Sequence, residues 1–409
     1  MVEAASDPDE PRLAYLDPGD GRPRPLRFVK DDGRWVVLGA AQNGAWVETV
    51  LLHGGGHLLV GGKAVGCGAV PVTDPSEIAR LLTAFRRTYG RPAWLERLEG
   101  DARVIMLDPT RPVRAPDPEE RLRLEFDAAA PHYHERVESR PVERYLKRLT
   151  ADHLLRTFAG LDPLLEIGSG SGYETLPLLR AGHSVTAVDV SARMLETLEQ
   201  NARGAGVADR LTTVVGSLSR LPAEVTSPPD GGYAGACSTF GPFNLVDDLE
   251  PVRLGLARAL RPDAELVFTS LNRPGVAPLA WELAAWRTES LRGRFRARSW
   301  TTRQTFYPLE LFRRRPSEWQ RCLSPEFRRV HVQPVSVLAP PFNPSTARTW
   351  PGPAARALFR AADGRLTRWS GLAEASEWSL LTFRRVPAPS PERRPTDTGA
   401  AKFGRPARL

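Results

Sequence analysis

The sequence contains little cysteine and no long apolar run, and both absences limit the protein classes to which it can belong. The three cysteines, Cys67, Cys237 and Cys322, are scattered and odd in number, which argues for a reducing compartment and against a disulfide framework. No apolar stretch approaches the roughly 20 residues that a membrane-spanning helix needs. The opening residues, MVEAASDPDEPR, are acidic and lack the apolar centre of a signal peptide. We therefore expect a cytoplasmic protein with no membrane partner.

Basic charge is plentiful, but it is not arranged as in a nucleic-acid-binding protein. The net charge is +8 and lysine is rare, whereas arginine, proline, alanine and glycine are abundant, as a GC-rich coding sequence would produce. No nucleic-acid motif is present, and no helical stretch interleaves basic with aromatic residues. Histidine pairs at 53/57 and 132/134 lack the further clustered ligands that a metal site requires. Neither a nucleic-acid partner nor a metal is expected.

Two unlike domains organise the chain. Residues 1–10 are predicted to be disordered, 11–112 to form a β-rich domain, and 113–120 to be a proline-rich linker. From 121 to 385 strands and helices alternate, which is typical of a parallel sheet covered on both faces. Residues 272–325 interrupt that alternation as an aromatic and arginine-rich insertion. The tail, 386–409, lacks apolar periodicity and is predicted to be disordered.

Turn and cap signals place elements within both domains. Asp31-Asp32-Gly33 separates two alternating runs and predicts a hairpin, and a helix is predicted from Asp74-Pro75 to Gly90. A closing strand, ARVIMLD, follows it. In the second domain the predicted strands are 163–167, 184–189, 210–216, 233–238, 264–270, 328–338 and 378–383.

A glycine-rich turn at residues 164–194, LLEIGSGSGYETLPLLRAGHSVTAVDVSARM, carries most of the functional information. An apolar strand ends at Glu166, and glycines follow at 168, 170 and 172. Such a turn between a strand and a helix lets the backbone approach a ligand closely. Asp189, at the tip of the next strand, is suited to bind a ribose diol. The segment therefore predicts a nucleoside site.

The spacing and the nearby acid decide which nucleoside is favoured. A dinucleotide site requires G-x-G-x-x-G and room for a pyrophosphate, but here the pattern is G-S-G-S-G with an acid two residues before it. A carboxylate repels a pyrophosphate and suits the ammonium of S-adenosylmethionine (SAM). A serine-hydrolase elbow is excluded, because Gly170 stands where the serine would be.

This segment resembles motifs I and II of class I SAM-dependent methyltransferases. FDAAAPHYHE resembles the lead-in helix of the small-molecule members of that family, and residues 238–273 resemble its later motifs, so the resemblance covers about 121–385. It implies a Rossmann-like α/β fold with a seven-stranded sheet and a cap insertion. Two departures concern the family's acids: Ser217 follows the glycine that ends strand three, and Ala234 stands early in strand four.

The resemblance also implies roles for individual residues. Glu166 would stay ionised and orient the ammonium, Asp189 would accept both ribose hydroxyls, and Val190 and Leu218 would enclose the adenine. Loop amides from Gly168 to Gly172 would face the methionine end. The full set of cofactor-binding candidates is Tyr133, Glu166, Gly168, Ser169, Gly170, Gly172, Asp189, Val190, Ser217, Leu218, Cys237 and Ser238. For four positions a simpler interpretation stays open: Ser169 and Ser171 as turn residues, and Met194 and Cys237 as core residues.

The insertion is the candidate acceptor cap, and the expected acceptor is a small organic molecule. Its aromatic residues could line a pocket or form the cap's own core; they are Trp281, Trp286, Phe295, Trp300, Phe306, Tyr307, Phe312 and Trp319. The fold demands no catalytic residue, because aligning donor and acceptor is the main requirement. Candidates for a general base are His134, Glu282, Tyr307 and His331.

The first domain faintly resembles the split-barrel proteins that bind flavin or deazaflavin. The segment Gly19–Arg24 lacks the lysine and serine that hold a phosphate in deazaflavin-dependent members, so a barrel without the cofactor is expected. A structural module, or one that forms a homodimer, is the favoured interpretation. Two rivals remain: a bifunctional redox enzyme and methyltransferase, and a non-catalytic SAM-binding regulator.

Overall fold

A computed structural model describes residues 13–17, 24–40, 45–60, 63–99, 102–228, 231–273, 298–300, 306–338 and 353–387. The predictions for residues 1–10, for nearly all of the tail and for much of the insertion fall outside these ranges. Glu282 also lies outside them. No helix in the described part of the chain is long and apolar enough to cross a membrane.

Six antiparallel strands close into a barrel in the first part of the chain, in the order β1-β2-β3-β6-β5-β4. These strands are β1 (Leu13–Asp17), β2 (Arg24–Asp31), β3 (Arg34–Ala40), β4 (Gly55–Val60), β5 (Lys63–Pro71) and β6 (Ala102–Asp108). The predicted hairpin is present: β2 pairs with β3 around a turn in which Asp32 and Gly33 both have positive φ. The β-rich first domain is thus confirmed and is a closed barrel.

Three helices flank the barrel: α1 (Ala45–His53), α2 (Pro75–Tyr89) and α3 (Ala93–Glu99). The side chain of Asp74 accepts a hydrogen bond from the Glu77 amide and caps α2, as its Asp-Pro start predicts. Leu81, Leu82 and Phe85 form the buried face of this helix. Helix α1 was not predicted, because its apolar residues show no clear helical period.

Three helices connect the barrel to the sheet: α4 (Pro118–Ala129), α5 (Tyr133–Glu138) and α6 (Pro141–Thr157). Asp117 caps α4, whose first turn lies within the segment predicted as linker. Helix α4 and the 3₁₀ turn after it, Ala130–His132, pack against the helix Ala192–Gly204 of the second domain near Met194.

A seven-stranded sheet forms the second domain, with strand order β14-β15-β11-β10-β7-β8-β9. Its strands are β7 (Leu164–Ile167), β8 (Val185–Asp189), β9 (Leu211–Val215), β10 (Tyr233–Ser238), β11 (Leu260–Leu271), β14 (Phe327–Ser336) and β15 (Trp378–Arg385). Strand β15 runs antiparallel to both β11 and β14, and the remaining pairs of this sheet are parallel. Helices of this domain are α7 (Thr175–Arg180), α8 (Ala192–Gly204), α9 (Ala223–Thr226), α10 (Glu250–Ala259), α11 (Trp319–Leu323) and α12 (Pro353–Leu366). The predicted Rossmann-like fold is confirmed.

The described parts of the insertion contribute to cores in both domains. Strands β12 (Arg298–Trp300) and β13 (Glu310–Phe312) form a small antiparallel pair. Phe306 and Tyr307 are buried among barrel residues, and Trp319 packs edge-on against Phe243 and Phe268 of the sheet domain. These three aromatics therefore belong to hydrophobic cores.

Candidate cofactor site

The glycine loop follows β7 at the carboxyl end of the parallel strands. Gly168, Gly170 and Gly172 have φ angles of 72°, 53° and 90°, which L-residues with a side chain rarely adopt. Space is also limited, because a Cβ on Gly168 would lie 2.3 Å from Cγ of Pro242, and one on Gly172 would lie 2.2 Å from Cδ1 of Leu198. Two of the three glycines are thus required by both backbone conformation and packing.

Most loop amides are bonded within the chain. Gly168 and Ser169 donate to the carbonyl of Val188, and Gly172 donates to that of Ser169. Gly170 donates to the Asp189 carboxylate at 2.8 Å. The expectation that this run of amides faces a ligand is therefore wrong for these four, whose hydrogen bonds shape the turn.

Two serine hydroxyls of the loop have no such partner. Ser169 and Ser171 are only 4% and 1% exposed, and neither hydroxyl oxygen forms a hydrogen bond in the described structure. A buried polar group without a partner costs free energy of about 1–3 kcal/mol. Because these two residues belong to the loop, their hydroxyls are suited to bond polar groups of a bound ligand. Turn formation alone does not explain why serine stands at both positions.

Asp189 ends β8 and faces the glycine loop. One of its carboxylate oxygens accepts from the Gly170 amide and the other from the Ser191 amide, at 2.8 and 2.9 Å. The Val190 amide also bonds to this carboxylate, which can accept about four hydrogen bonds in all, so some capacity is left for a ligand. Burial raises the pKa of Asp189 to about 6, although these amides oppose the rise.

Glu166 is the second acid of the site and is almost completely buried. Its Oε2 accepts a hydrogen bond of 2.6 Å from the Thr175 hydroxyl. Burial, with the charge of Glu174, raises the pKa of Glu166 to about 8. The expectation that Glu166 stays ionised is therefore corrected: at pH 7 the carboxyl is mostly protonated, and a cationic partner would be needed to favour its charged form.

A buried ion pair beside Glu166 was missed from the sequence. Lys147 of α6 contacts the Glu174 carboxylate at 3.2 Å, and both side chains are under 5% exposed. Burial lowers the pKa of Lys147, but the charge of Glu174 reverses the effect, so this pKa is raised overall. The sequence signal for it was a pair of charged residues, Glu143 and Lys147, that stand four residues apart among apolar neighbours. Both lie on the buried face of α6.

Tyr133, in the segment that resembles the lead-in helix, lies beside the glycine loop. A Cβ on Gly170 would be 3.8 Å from Cε1 of Tyr133, and Tyr133 packs with Met194 near the start of α8. The guanidinium of Arg136 lies 4.8 Å from the Tyr133 ring centroid. The structure thus brings Tyr133 together with the loop, and Met194 is a core residue.

Comparison with known proteins identifies the domain to which these residues belong. Residues 164–263 match a family model described as a methyltransferase domain. The chain contains a class I SAM-dependent methyltransferase domain. This match confirms the family resemblance and the cofactor it implies.

Individual relatives cover only parts of the chain. The 23S rRNA (uracil(1939)-C(5))-methyltransferase RlmD of Acidithiobacillus ferrooxidans is 28% identical over 214 residues, 52% of this chain and 45% of that protein. The mitochondrial ribosomal RNA small subunit methyltransferase of Arabidopsis thaliana is 43% identical over 53 residues, 13% of this chain and 14% of that protein. The chain therefore spans less than half the length of each of these curated relatives.

The same fold comparison extends to solved structures. The CcbJ methyltransferase from Streptomyces caelestis aligns with 63% of this chain and 96% of its own, at 15% identity and a TM-score of 0.42.

The remaining cofactor candidates of the methyltransferase domain lie in different environments. Val190 is half-buried next to Asp189, and Ser217 and Leu218 are buried after β9. The Ser217 hydroxyl is 3.1 Å from that of Ser219. These three follow the carboxyl ends of β8 and β9, where ligands bind in such sheets.

Two candidates on β10 have other roles. The Ser238 hydroxyl donates to the Ile167 carbonyl at 2.8 Å and ties β10 to β7. Cys237 is completely buried in an apolar cluster with Val142 and Leu146, and burial raises its pKa. The structure therefore supports a core role for Cys237 and corrects the expectation that its side chain lies against the cofactor.

The candidates for a general base are dispersed. His134 is exposed and its ring lies tilted against that of Tyr173, with centroids 5.7 Å apart. Tyr307 lies in the barrel core, where burial raises its pKa, so it is a poor base. His331 lies midway along edge strand β14, opposite Thr382; four strand spacings separate β14 from β7, about 19 Å. Of the described candidates, only His134 lies beside the site.

No cluster of three or more histidine, cysteine or acidic side chains suited to a metal ion occurs among the described residues.

Proposed function

We propose that this protein transfers a methyl group from SAM to a small organic acceptor. The observation that carries the proposal is the pair of buried, unpartnered hydroxyls, Ser169 and Ser171, in a glycine loop flanked by two buried acids. Glu166 and Asp189 match the cationic and diol groups of SAM in chemistry. When bound, SAM supplies the methyl group and its own sulfonium leaving group.

The chain's part in the reaction is to bind and to align. Glu166 would take its charged form opposite the ammonium, and the free lone pairs of Asp189 would accept the ribose hydroxyls. Val190 and Leu218 would enclose the adenine, with Ser217 as a neutral acceptor at its edge. Because a sulfonium needs no activation, holding donor and acceptor in line supplies most of the rate.

A covered site supports a small acceptor. The Tyr133 side chain lies beside the glycine loop and packs near the start of α8, so an acceptor would have to pass this side chain. An extended polymer would have to displace this cover, whereas a small molecule would not. His134 is the remaining described candidate for a base that accepts a proton from the nucleophile.

Ribosomal RNA is the second candidate acceptor. Two curated relatives are named as rRNA methyltransferases, and the chain has a net charge of +8. An RNA acceptor requires binding that weakens steeply as salt rises, because counterions are released from the phosphates. Absence of RNA binding at low salt would eliminate this candidate.

Support for the remaining parts of the proposal comes from the sequence. The scattered cysteines favour a cytoplasmic location. The closed barrel is proposed as a structural module that also forms a homodimer. A flavin or deazaflavin that purifies with the protein, seen as visible absorbance, would instead support the bifunctional alternative.

Calorimetric titration of the full chain with SAM and with S-adenosylhomocysteine (SAH) tests the cofactor site. The informative variant is Asp189→Asn, which keeps one carbonyl acceptor and removes the charge, and the matched control is Asp152→Asn on the exposed face of α6. Micromolar binding by wild type and control, weakened at least tenfold in Asp189→Asn, is expected. Equal affinity in all three proteins would contradict the placement of the ribose.

Turnover is tested next, with a panel of small acceptors and with total RNA. Methyl transfer to a small molecule but not to RNA supports the proposal, and the reverse supports the RNA alternative. Tight binding of SAM with no turnover on either panel would favour a non-catalytic regulator.

A further inference from the structure

Two carboxylates of α4 contact two distant parts of the chain. Glu125 is fully buried, and its Oε2 accepts hydrogen bonds from the amides of Phe306 and Tyr307, at 2.6 and 2.9 Å. Asp127 accepts from the Ser191 hydroxyl at 2.7 Å. Residues two apart on an α-helix lie about 200° around its axis. Helix α4 therefore bridges the insertion and the start of α8.

The Asp127 contact leads directly to the candidate ribose acid. The Ser191 hydroxyl accepts from the Met194 amide at 3.1 Å and so caps α8, while the Ser191 amide donates to Asp189 at 2.9 Å. Ser191 is fully buried, so water cannot easily replace a lost partner. Asp127, Ser191 and Asp189 are therefore connected by a continuous chain of hydrogen bonds.

The Glu125 contact fixes a segment that also belongs to the barrel core. The side chains of Phe306 and Tyr307 are buried with barrel residues such as Leu16 and Phe28. The two amides of this segment donate to the same carboxyl oxygen of Glu125, so both backbone groups have a partner inside the protein. Residues 306–307 are thus held by the barrel on one side and by α4 on the other.

A third contact connects the barrel to the same turn of α8. Arg193, two residues after Ser191, donates to the Thr73 carbonyl and to the Asp74 carboxylate, at 3.1 and 2.8 Å. The barrel and α4 therefore both contact the first turn of α8, and the insertion is connected to it only through α4 among the contacts described above.

We propose that α4 couples the barrel-held segment 306–307 to the cofactor site, so that ligand binding at Asp189 and order in that segment favour each other. The inference rests on the proposed function, because it takes Asp189 as a cofactor ligand. Glu125 and Asp127 are positioning residues, since each acts through another group. Coupling between two sites is reciprocal, so each end can be perturbed and the other observed.

Amide hydrogen exchange at residues 306–312 reads one end, and calorimetric SAH affinity reads the other. The proteins are full-length wild type, Glu125→Gln, Asp127→Ala and the control Glu119→Gln, an exposed acid on the same helix. Saturating SAH should slow exchange at the amides of 306–307 about fivefold in wild type and control, the low end of couplings between sites. In Asp127→Ala, SAH should still bind but leave that exchange unchanged.

The reverse direction gives a second readout. Glu125→Gln should speed exchange at 306–307 and weaken SAH binding about fivefold, with one ligand still bound per chain. Asp127→Ala removes the acceptor of the Ser191 hydroxyl and orphans no backbone amide, so it decides the question if Glu125→Gln does not fold.

The outcomes separate this inference from the proposed function. If SAH binds wild type but exchange at 306–307 is the same with and without it, the coupling is overturned and the cofactor site stands. If SAH does not bind wild type at all, the proposed function fails and this inference fails with it.

Discussion

Cofactor binding should release a proton from Glu166. Its pKa is raised to about 8, so the free protein is mostly protonated there at neutral pH, whereas a bound ammonium requires the carboxylate. Ionising the group one pH unit below its pKa costs about 1.4 kcal/mol. The sign follows directly: affinity rises with pH until about pH 8 and then levels off.

The size of the effect follows from the ionised fraction. Between pH 8.5 and pH 6.5 this fraction falls from about three-quarters to about 3%, so SAH affinity should fall about 25-fold. Asp189, whose pKa is raised to about 6, is mostly ionised over that range and adds little. At pH 7 about 0.9 proton should be released per ligand bound.

Titrations in buffers of different ionisation enthalpy count this proton directly. Glu166→Gln is the matched variant, because an amide oxygen can still accept from Thr175 while the group cannot ionise. The amino group of SAH titrates equally with both proteins, so only the difference between them is interpreted. Equal proton release, or equal pH slopes, in wild type and Glu166→Gln would refute the assignment of Glu166 to the ammonium.

Two further predictions concern stability, measured by urea unfolding. Lys147→Met leaves Glu174 buried without its partner and should lower the free energy of unfolding by about 3–5 kcal/mol. Replacing Glu174 by Gln in the same protein should restore much of the lost stability. A loss below about 1 kcal/mol in Lys147→Met would contradict the buried ion pair. Gly172→Ala places a side chain at a φ of 90° against Leu198 and should lower the free energy of unfolding by at least about 1–2 kcal/mol. The control Gly204→Ala, at a helical position in open space, should be neutral or stabilising. Equal effects of the two substitutions would contradict the packing around Gly172.

Short-range signals predicted most of the fold. Alternating and continuous apolar runs gave every strand of the seven-stranded sheet, because buried strands carry their own pattern. The Asp32-Gly33 turn and the Asp74 cap were equally visible, since each depends on residues a few positions apart. Helix α1 was missed, because its apolar residues follow no clear period.

The site was predicted only where a motif marks it. Gly168, Gly170 and Asp189 follow one another along the chain, so their proximity could be inferred. Lys147 reaches Glu174 across 27 positions and Glu125 reaches Phe306 across 181, and no sequence spacing records such contacts. Ionisation was missed for a related reason: the pKa of a carboxyl depends on burial and neighbours that only the folded chain provides.

The burial of Phe306 and Tyr307 in the barrel affects how the chain can be divided. A cut in the segment 113–120 would separate the barrel from the sheet in sequence but would leave these two aromatic side chains outside their core. Each half would then expose apolar surface that the other covers, which favours aggregation. Mixing the separately produced halves should therefore improve the solubility of both. For protein engineering, the natural unit is the barrel together with the methyltransferase domain, and domain swaps between relatives should exchange both at once.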